Sequence, residues 1–471
     1  MATRSAARAI CVTAAGLIAG CSSPFDQPHN ITRSLDRTLP RGVDGVPPSA
    51  YRGNPDGNRM AGPTLTADSS PDEYIRYALY HNPEVEAAYQ RWRAAAERLP
   101  QVRALPDPRV NLGYSFMDDE ATIGVMQSFP WPGTLGRRED AAAHAALAMW
   151  REFQVARLMA SERVLLALHE LAYIDSAIRI TDENLNLIRS FEELVRARYR
   201  VGEGMHSELI RAQVELGQVE DRLAQLNALR PVYVAELNAS LNRSSSAGIE
   251  RVHSAPAVRV ATDASSLVAT AQRTHPSLLA FDERSEEQRL LADVARSSGL
   301  PDFTLGVDYM FYEGHVLQRS GAGDPVMVTM GMSIPLWREK IDAGVREALS
   351  RRLALSLERD GEANRIAAAI HRAWFEHMDA DRRVRLFEQT LVPKAEESLR
   401  ASLAGFRTGS TNFLDLLDTE RTLLEFSIAV ERARADRGKA LARLNTLVGK
   451  PVPTEPADQP SQYGNHDEVQ P

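Results

Sequence analysis

Two aspartates three residues apart, Asp415 and Asp418, stand at the start of the last strongly helical segment of the chain. That spacing puts both carboxylates on one helix face. Paired acids of this kind can attract cations and hold back anions. They are also ordinary at a helix start, where the backbone presents partial positive charge. Other residue types invite harder chemistry and miss its spacing. His169-Glu170 begins a helical zinc-protease pattern, but the second histidine is replaced by Tyr173. His371 and His377 are six apart and do not share a helix face. Met327, Met330 and Met332 offer thioethers suited to soft metals. They lie in an alternating stretch, however, that turns Met330 and Met332 away from Met327, and apolar filling accounts for them. The sequence has no phosphate loop, nucleophile elbow or metal-ligand cluster, so no metal site is assigned and the chain does not read as an enzyme.

The elements that would carry these residues are unusual in combination. Leu105-Pro106-Asp107-Pro108 opens an alternating run in which Val110, Leu112, Tyr114 and Phe116 oppose Asn111, Gly113 and Ser115. Leu300-Pro301-Asp302 opens a second run, with Phe303, Leu305, Val307, Tyr309 and Phe311 opposite Thr304, Gly306, Asp308 and Met310. Each has an alternating partner, ending in Ser128-Phe129-Pro130-Trp131 and Ser333-Ile334-Pro335-Leu336. Period-two alternation marks strands with two unlike faces, here over about 109–117, 122–129, 303–311 and 326–334. Strands of roughly nine residues can cross a bilayer at a tilt. Four of them cannot close a barrel, and an open edge is not tolerated in lipid. Several chains must therefore share one barrel.

Nearly everything else reads as helix. Very long periodic patterns follow each hairpin, roughly 137–200 and 341–407, far beyond a usual globular helix and suited to coiled-coil packing. Both stop at a glycine, Gly202 and Gly409. A return helix follows each, closing on Leu241-Asn242 and Leu444-Asn445. Pro393 interrupts the second long pattern where the first has Asn186, predicting a kink or restart there. The chain thus divides into a signal (1–20), an extended polar tether (21–69), repeat one (70–248), a linker (249–264), repeat two (265–450) and a polar tail (451–471).

Formal net charge is −8, becoming about −10 once Arg4 and Arg8 leave with the signal. This argues against a nucleic-acid partner, which needs a basic face. No apolar run of roughly 18 residues exists beyond the N-terminus. Ile18-Ala19-Gly20-Cys21 resembles the lipobox of bacterial lipoproteins, with Cys21 as the acylated residue. Cys11 would be lost with the signal, leaving no thiol for redox or metal chemistry. The covalent lipid aside, no cofactor is expected.

The repeat plan, the lipobox, the Pro-ended hairpins and the glycine turn before Leu414-Asp415-Leu416-Leu417-Asp418 resemble the TolC-like outer-membrane efflux channel family. Phe129-Pro130-Trp131-Pro132-Gly133 looks most like its heavy-metal and cation efflux members. The resemblance implies a mainly α fold with a small membrane β-barrel. Three chains would form a twelve-stranded barrel continued by a periplasmic helical tunnel. Asn111, Ser115, Thr304, Asp308 and Thr329 would face the lumen, and the loops with Asp118-Asp119-Glu120 and from 312 to 324 would lie outside the cell. Gly202 and Gly409 would mark the turns where a periplasmic adaptor docks, ahead of an inner-membrane RND transporter. Asp415 and Asp418 would line the periplasmic aperture. Some members carry an arginine at the position of Thr411 that ties the closed state; here Glu208 and Arg211 of repeat one offer another pair. The implied function is a passive outer-membrane exit channel, for heavy-metal cations. Drug, dye or type I secretion export is the alternative within the family, and a non-pore periplasmic coiled-coil scaffold is the alternative outside it.

Overall fold

The computed structural model describes residues 64–66, 69–116, 120–250, 252, 258–312 and 326–456. Cys21, the signal, most of the tether, the loop acids Asp118 and Asp119, the loop from 313 to 325 and the tail from 457 lie outside these. In chain order come α1 (Pro71–His81), α2 (Pro83–Ala96), α3 (Arg98–Arg103), β1 (Arg109–Ser115), β2 (Glu120–Phe129), α4 (Thr134–Arg200) and α5 (His206–Ser240). The second half continues with β3 (Val258–Val260), α6 (Ala264–Thr274), α7 (Pro276–Ser297), β4 (Phe303–Tyr312) and β5 (Val326–Met332). It ends with α8 (Arg338–Leu386), a π turn (Phe387–Leu391), α9 (Val392–Thr408), α10 (Phe413–Val448) and β6 (Thr454–Pro456).

In each repeat the opening helical stretch is broken at a residue that precedes proline. Pro83 holds the preceding Asn82 extended, at φ −73° and ψ 120°, because its ring crowds the helical conformation of the residue before it. Asn82 then caps α2, its Oδ1 accepting from the Glu84 and Val85 amides at 2.8 and 3.3 Å. His275 before Pro276 repeats this at φ −66° and ψ 123°, with its side chain capping α7. At the chain's first helix, Ser70 and Glu73 form a reciprocal capping box.

α4 runs 67 residues without a break, a rise of about 100 Å. It packs against α2, α5, α7 and α10, while α8 packs against α6, α7 and α10. The far end of the bundle is closed by an apolar core including Ile188, Val195, Phe406, Phe413, Leu416 and Leu417. Each such fully buried side chain contributes about 1.5–3 kcal/mol.

The second long helix departs from the first by one residue. Asp175 of α4 is buried and takes Arg230 of α5 at 2.6 Å. Asp381 of α8 is buried and takes Arg437 of α10 at 3.0 Å. These are equivalent pairs, and Arg230 and Arg437 each lie 28 residues after their turn glycine. Asp175, however, precedes Gly202 by 27 residues and Asp381 precedes Gly409 by 28. The extra residue is absorbed as the π turn, the usual fate of a single insertion in an α-helix. Pro393, in the first turn of α9, has its missing N–H and bulky ring accommodated there. The predicted restart therefore occurs, but its geometric basis is the insertion.

Two further expectations need correction. The last helix does not close at Leu444-Asn445: it continues one turn to Val448 and ends on Gly449 at φ +80°. The equivalent of Gly449 in repeat one is Asn242, at φ +55°. The linker and tail are not wholly irregular either. β3 and β6 pair antiparallel, Val258 opposite Pro456 and Val260 opposite Thr454. Arg259 in β3 reaches Asp381 at 3.2 Å, and Val252 donates its amide to Asp175 at 3.1 Å. One buried aspartate on each long helix thus pins the segment that joins the repeats.

Candidate functional site

At the helical end, the two turns share one design. Gly202 and Gly409 adopt φ +81° and +77°, a region that L side chains reach only at a cost. Glu203 donates its amide to Arg198 O at 3.0 Å and Ser410 donates to Gly405 O at 2.9 Å, bonds that satisfy the last carbonyls of each long helix. The packing inside the turns is size-swapped. Repeat one has Arg198 against Gly204, where a Cβ would lie 3.3 Å from Arg198 Cβ. Repeat two has Gly405 against Thr411, and a Cβ on Gly405 would overlap the Thr411 hydroxyl. Thr411 is therefore half-buried within its own turn. Arg198 spans the two turns, donating to Phe406 O at 2.9 Å and lying 4.7 Å over the Phe406 ring.

Asn412 caps α10 by accepting from the Asp415 amide at 2.9 Å. Asp415 and Asp418 are both exposed, while the intervening Leu416 and Leu417 are buried. The helical period thus separates a charged outer face from the apolar anchor that holds it. In repeat one, Glu208 accepts from the Met205 amide at 3.2 Å as a cap, and Arg211 is exposed.

At the other end of α4 the four long strands form one sheet in the order β1-β2-β4-β5. Every neighbouring pair is antiparallel. Among the described residues, the outer strands β1 and β5 have no second partner. Register aligns Asn111, Gly124, Asp308 and Met327 in one row across the sheet. Asn111, Ser115, Thr304, Asp308 and Thr329 accordingly lie on one face. Asp308 accepts a bond from the Thr329 hydroxyl at 3.1 Å. Its carboxylate lies over Gly124, where a Cβ would overlap it. Thr304 likewise overlies Gly331. The opposite face is apolar and bare: Leu112 is 77% exposed, Val328 67% and Met330 80%. A soluble sheet rarely leaves such a surface open.

Residues 267–450 match the model of the family described as Outer membrane efflux protein. The outer membrane protein VceC of Vibrio cholerae superposes with a TM-score of 0.66 at 19% identity, over 81% of this chain and 96% of that one. The fold is that of the TolC-like outer membrane efflux proteins. Among sequence relatives, nodulation protein T of Rhizobium leguminosarum bv. trifolii is 21% identical over 412 residues, 82% of this chain and 86% of its own. The cobalt-zinc-cadmium resistance protein CzcC of Cupriavidus metallidurans is 22% identical over 187 residues, 37% of this chain and 40% of its own.

In this fold His169 and His377 have structural partners, while His371 is exposed. His169 stacks its ring on Gly438, where a Cβ would collide with it. Burial pushes it down to about 4, with Lys439 acting in the same direction. Burial pushes Glu170 up, but Lys439 and Arg432 outweigh it and hold the carboxyl below its ordinary range. His377 accepts the Val260 amide at 3.3 Å and faces Arg437 O at 3.2 Å. The proton therefore sits on Nδ1, and burial lowers the affinity for a second one. Arg198 and the buried Glu420 were not singled out from the sequence. Their signal is the repeat alignment itself, in which Arg198 falls opposite Gly405 and Glu420 opposite Gln213.

Proposed function

We propose that the chain is one subunit of an outer-membrane exit channel in a tripartite efflux system. The observation that carries this reading is the sheet: a polar face, a bare apolar face and two open edges, joined to helices far longer than a globular core needs. Pairing β1 of one copy with β5 of another removes both edges. Three copies give twelve strands, an even number as single-bilayer antiparallel barrels require. The polar faces with Asn111, Ser115, Thr304, Asp308 and Thr329 then line water and the apolar faces meet lipid. Cys21 carries the lipid anchor, and the turns at Gly202 and Gly409 dock a periplasmic adaptor that couples the channel to an inner-membrane RND transporter. Transport through the channel itself is passive.

The substrate class we favour is heavy-metal cations. Asp415 and Asp418, gathered by threefold symmetry, would form an acidic ring that favours cations. The likeness to CzcC, named for cobalt, zinc and cadmium resistance, supports the same choice. The likeness to nodulation protein T covers more of the chain and keeps export of other molecules as the second reading. A deletion strain, with and without the restored gene, decides between them. Sensitivity to a few metals alone supports cation efflux, whereas broad sensitivity to dyes, detergents and antibiotics makes this a general exit channel.

A further inference from the structure

Glu420 is fully buried two turns into α10. Its Oε1 accepts a hydrogen bond from Asn184 Nδ2 of α4. Its Oε2 has no partner among the described residues, and neither does Asn184 Oδ1. With Glu420 ionised, both of these oxygens are acceptors, and buried acceptors left unpaired are costly. A single proton on Oε2 makes that oxygen a donor to Asn184 Oδ1 and closes an acid–amide ring of two hydrogen bonds. The reverse orientation of the Asn184 amide would set Oδ1 against Oε1 and require the proton just as directly. We propose that Glu420 and Asn184 form a proton-holding pair that locks the start of α10 to α4, and that losing the proton releases the helix end bearing Asp415 and Asp418.

The surroundings favour the neutral acid. From α5, Glu215 adds negative potential, and Arg421 of α10 is turned to it, with Nε 3.0 Å from each carboxylate oxygen. α9 presents Ala395 and Leu399 inward and keeps Lys394, Glu396, Glu397 and Arg400 exposed. Glu388 of the π turn is exposed and engages Arg434 at 2.7 Å. Asp182 and Glu183 of α4 also face outward. Burial pushes the Glu420 carboxyl up to about 7; the Asn184 bond opposes this, Glu215 adds to it and Arg421 opposes it. In repeat one the equivalent residue is Gln213, which donates to Glu192 at 3.4 Å. An amide suffices in that copy, so an acid here adds a titratable proton to the same position.

The sign follows from the raised affinity. The lock is fully present below the ordinary glutamate range and is lost as pH rises through about 7. Release should therefore be favoured on the alkaline side. The proton site stands apart from the channel reading; only its effect on conduction rests on it.

The test is an infrared titration of the purified full-length protein, with isotopically labelled glutamate to identify the protonated-carboxyl band. We expect a band present at pH 6 and lost with a midpoint near 7, absent in Glu420→Gln. Glu215→Gln should lower the midpoint, since it removes a negative neighbour and frees Arg421. Labelling assigns a glutamate band in the wild type even if a variant misfolds. Absence of any glutamate band at pH 6, or loss of the band at an ordinary glutamate midpoint, overturns the proposal. Amide exchange over residues 413–424, taken as the ratio of wild type to Glu420→Gln at each pH, reads the release. That ratio should rise about tenfold between pH 6 and 9, given a locked carboxyl near 7 and an ordinary glutamate once released; a constant ratio overturns the lock. A protein that gives the band and the exchange change but conducts no ions would refute the channel reading alone.

Discussion

Gly124 and Asp308 are fitted to one another across two strands, and the pair makes a residue-scale prediction. Gly124→Ala must drive Asp308 off its bond with Thr329, costing about 1 kcal/mol. The double variant Gly124→Ala/Asp308→Ala should cost less than the sum of the singles, measured by denaturant unfolding in detergent. At the turns, Gly202→Ala and Gly409→Ala place a side chain at positive φ and should each cost about 1–2 kcal/mol, with Asn at either position milder. Thermal unfolding checks this, and an unchanged midpoint for both alanine variants would contradict the turn geometry. The buried histidines make a pH prediction. Burial lowers His169 to about 4 and also lowers His275 and His377. Unfolded, they titrate near 6.5. Their contribution to stability is thus present above 6.5 and lost as pH falls towards 4. His169→Gln should flatten this acid limb in melts recorded from pH 7 to 4.

At the scale of elements, the two repeats are an internal control on one another. The π turn is read as one inserted residue, so deleting Thr390 together with Pro393→Ala should give a continuous helix that keeps Asp381 on Arg437. Deleting one residue at Asn186 in α4 should instead rotate Asp175 by about 100° relative to the turn and weaken the bundle strongly. Equal damage from both deletions, judged by helical circular dichroism and melting, would contradict the insertion reading. The same comparison explains what the sequence could reveal. Period-two alternation and the long helical pattern are local and repeated, so the strands and α4 could be placed within a few residues. The Asn82 and His275 breaks depended on single prolines within strong helical periodicity. The β3–β6 pair joins two three-residue strands some 195 positions apart, one of them ending in proline, which no local pattern announces. Gly449 was missed because Leu444-Asn445 imitates Leu241-Asn242. At the candidate site, the acids and turn glycines were legible from position. The burial of Glu420 was not, because it follows from how α4, α5 and α10 meet.

For the whole molecule, the central claim is that copies of this chain join their sheets edge to edge into a water-filled barrel continued by the long helices. The apolar sheet face, with Leu112, Val328 and Met330 exposed, is one that soluble single chains rarely leave open, and it suits lipid contact. The most direct test is planar-bilayer recording of the purified full-length protein beside Asp415→Asn/Asp418→Asn. The account predicts discrete cation-preferring conductance steps from a heat-modifiable trimer, and larger steps or a weaker cation preference when both aspartates are neutralised. A wild-type protein that reaches the outer membrane, yet yields no trimer and no conductance, would contradict it.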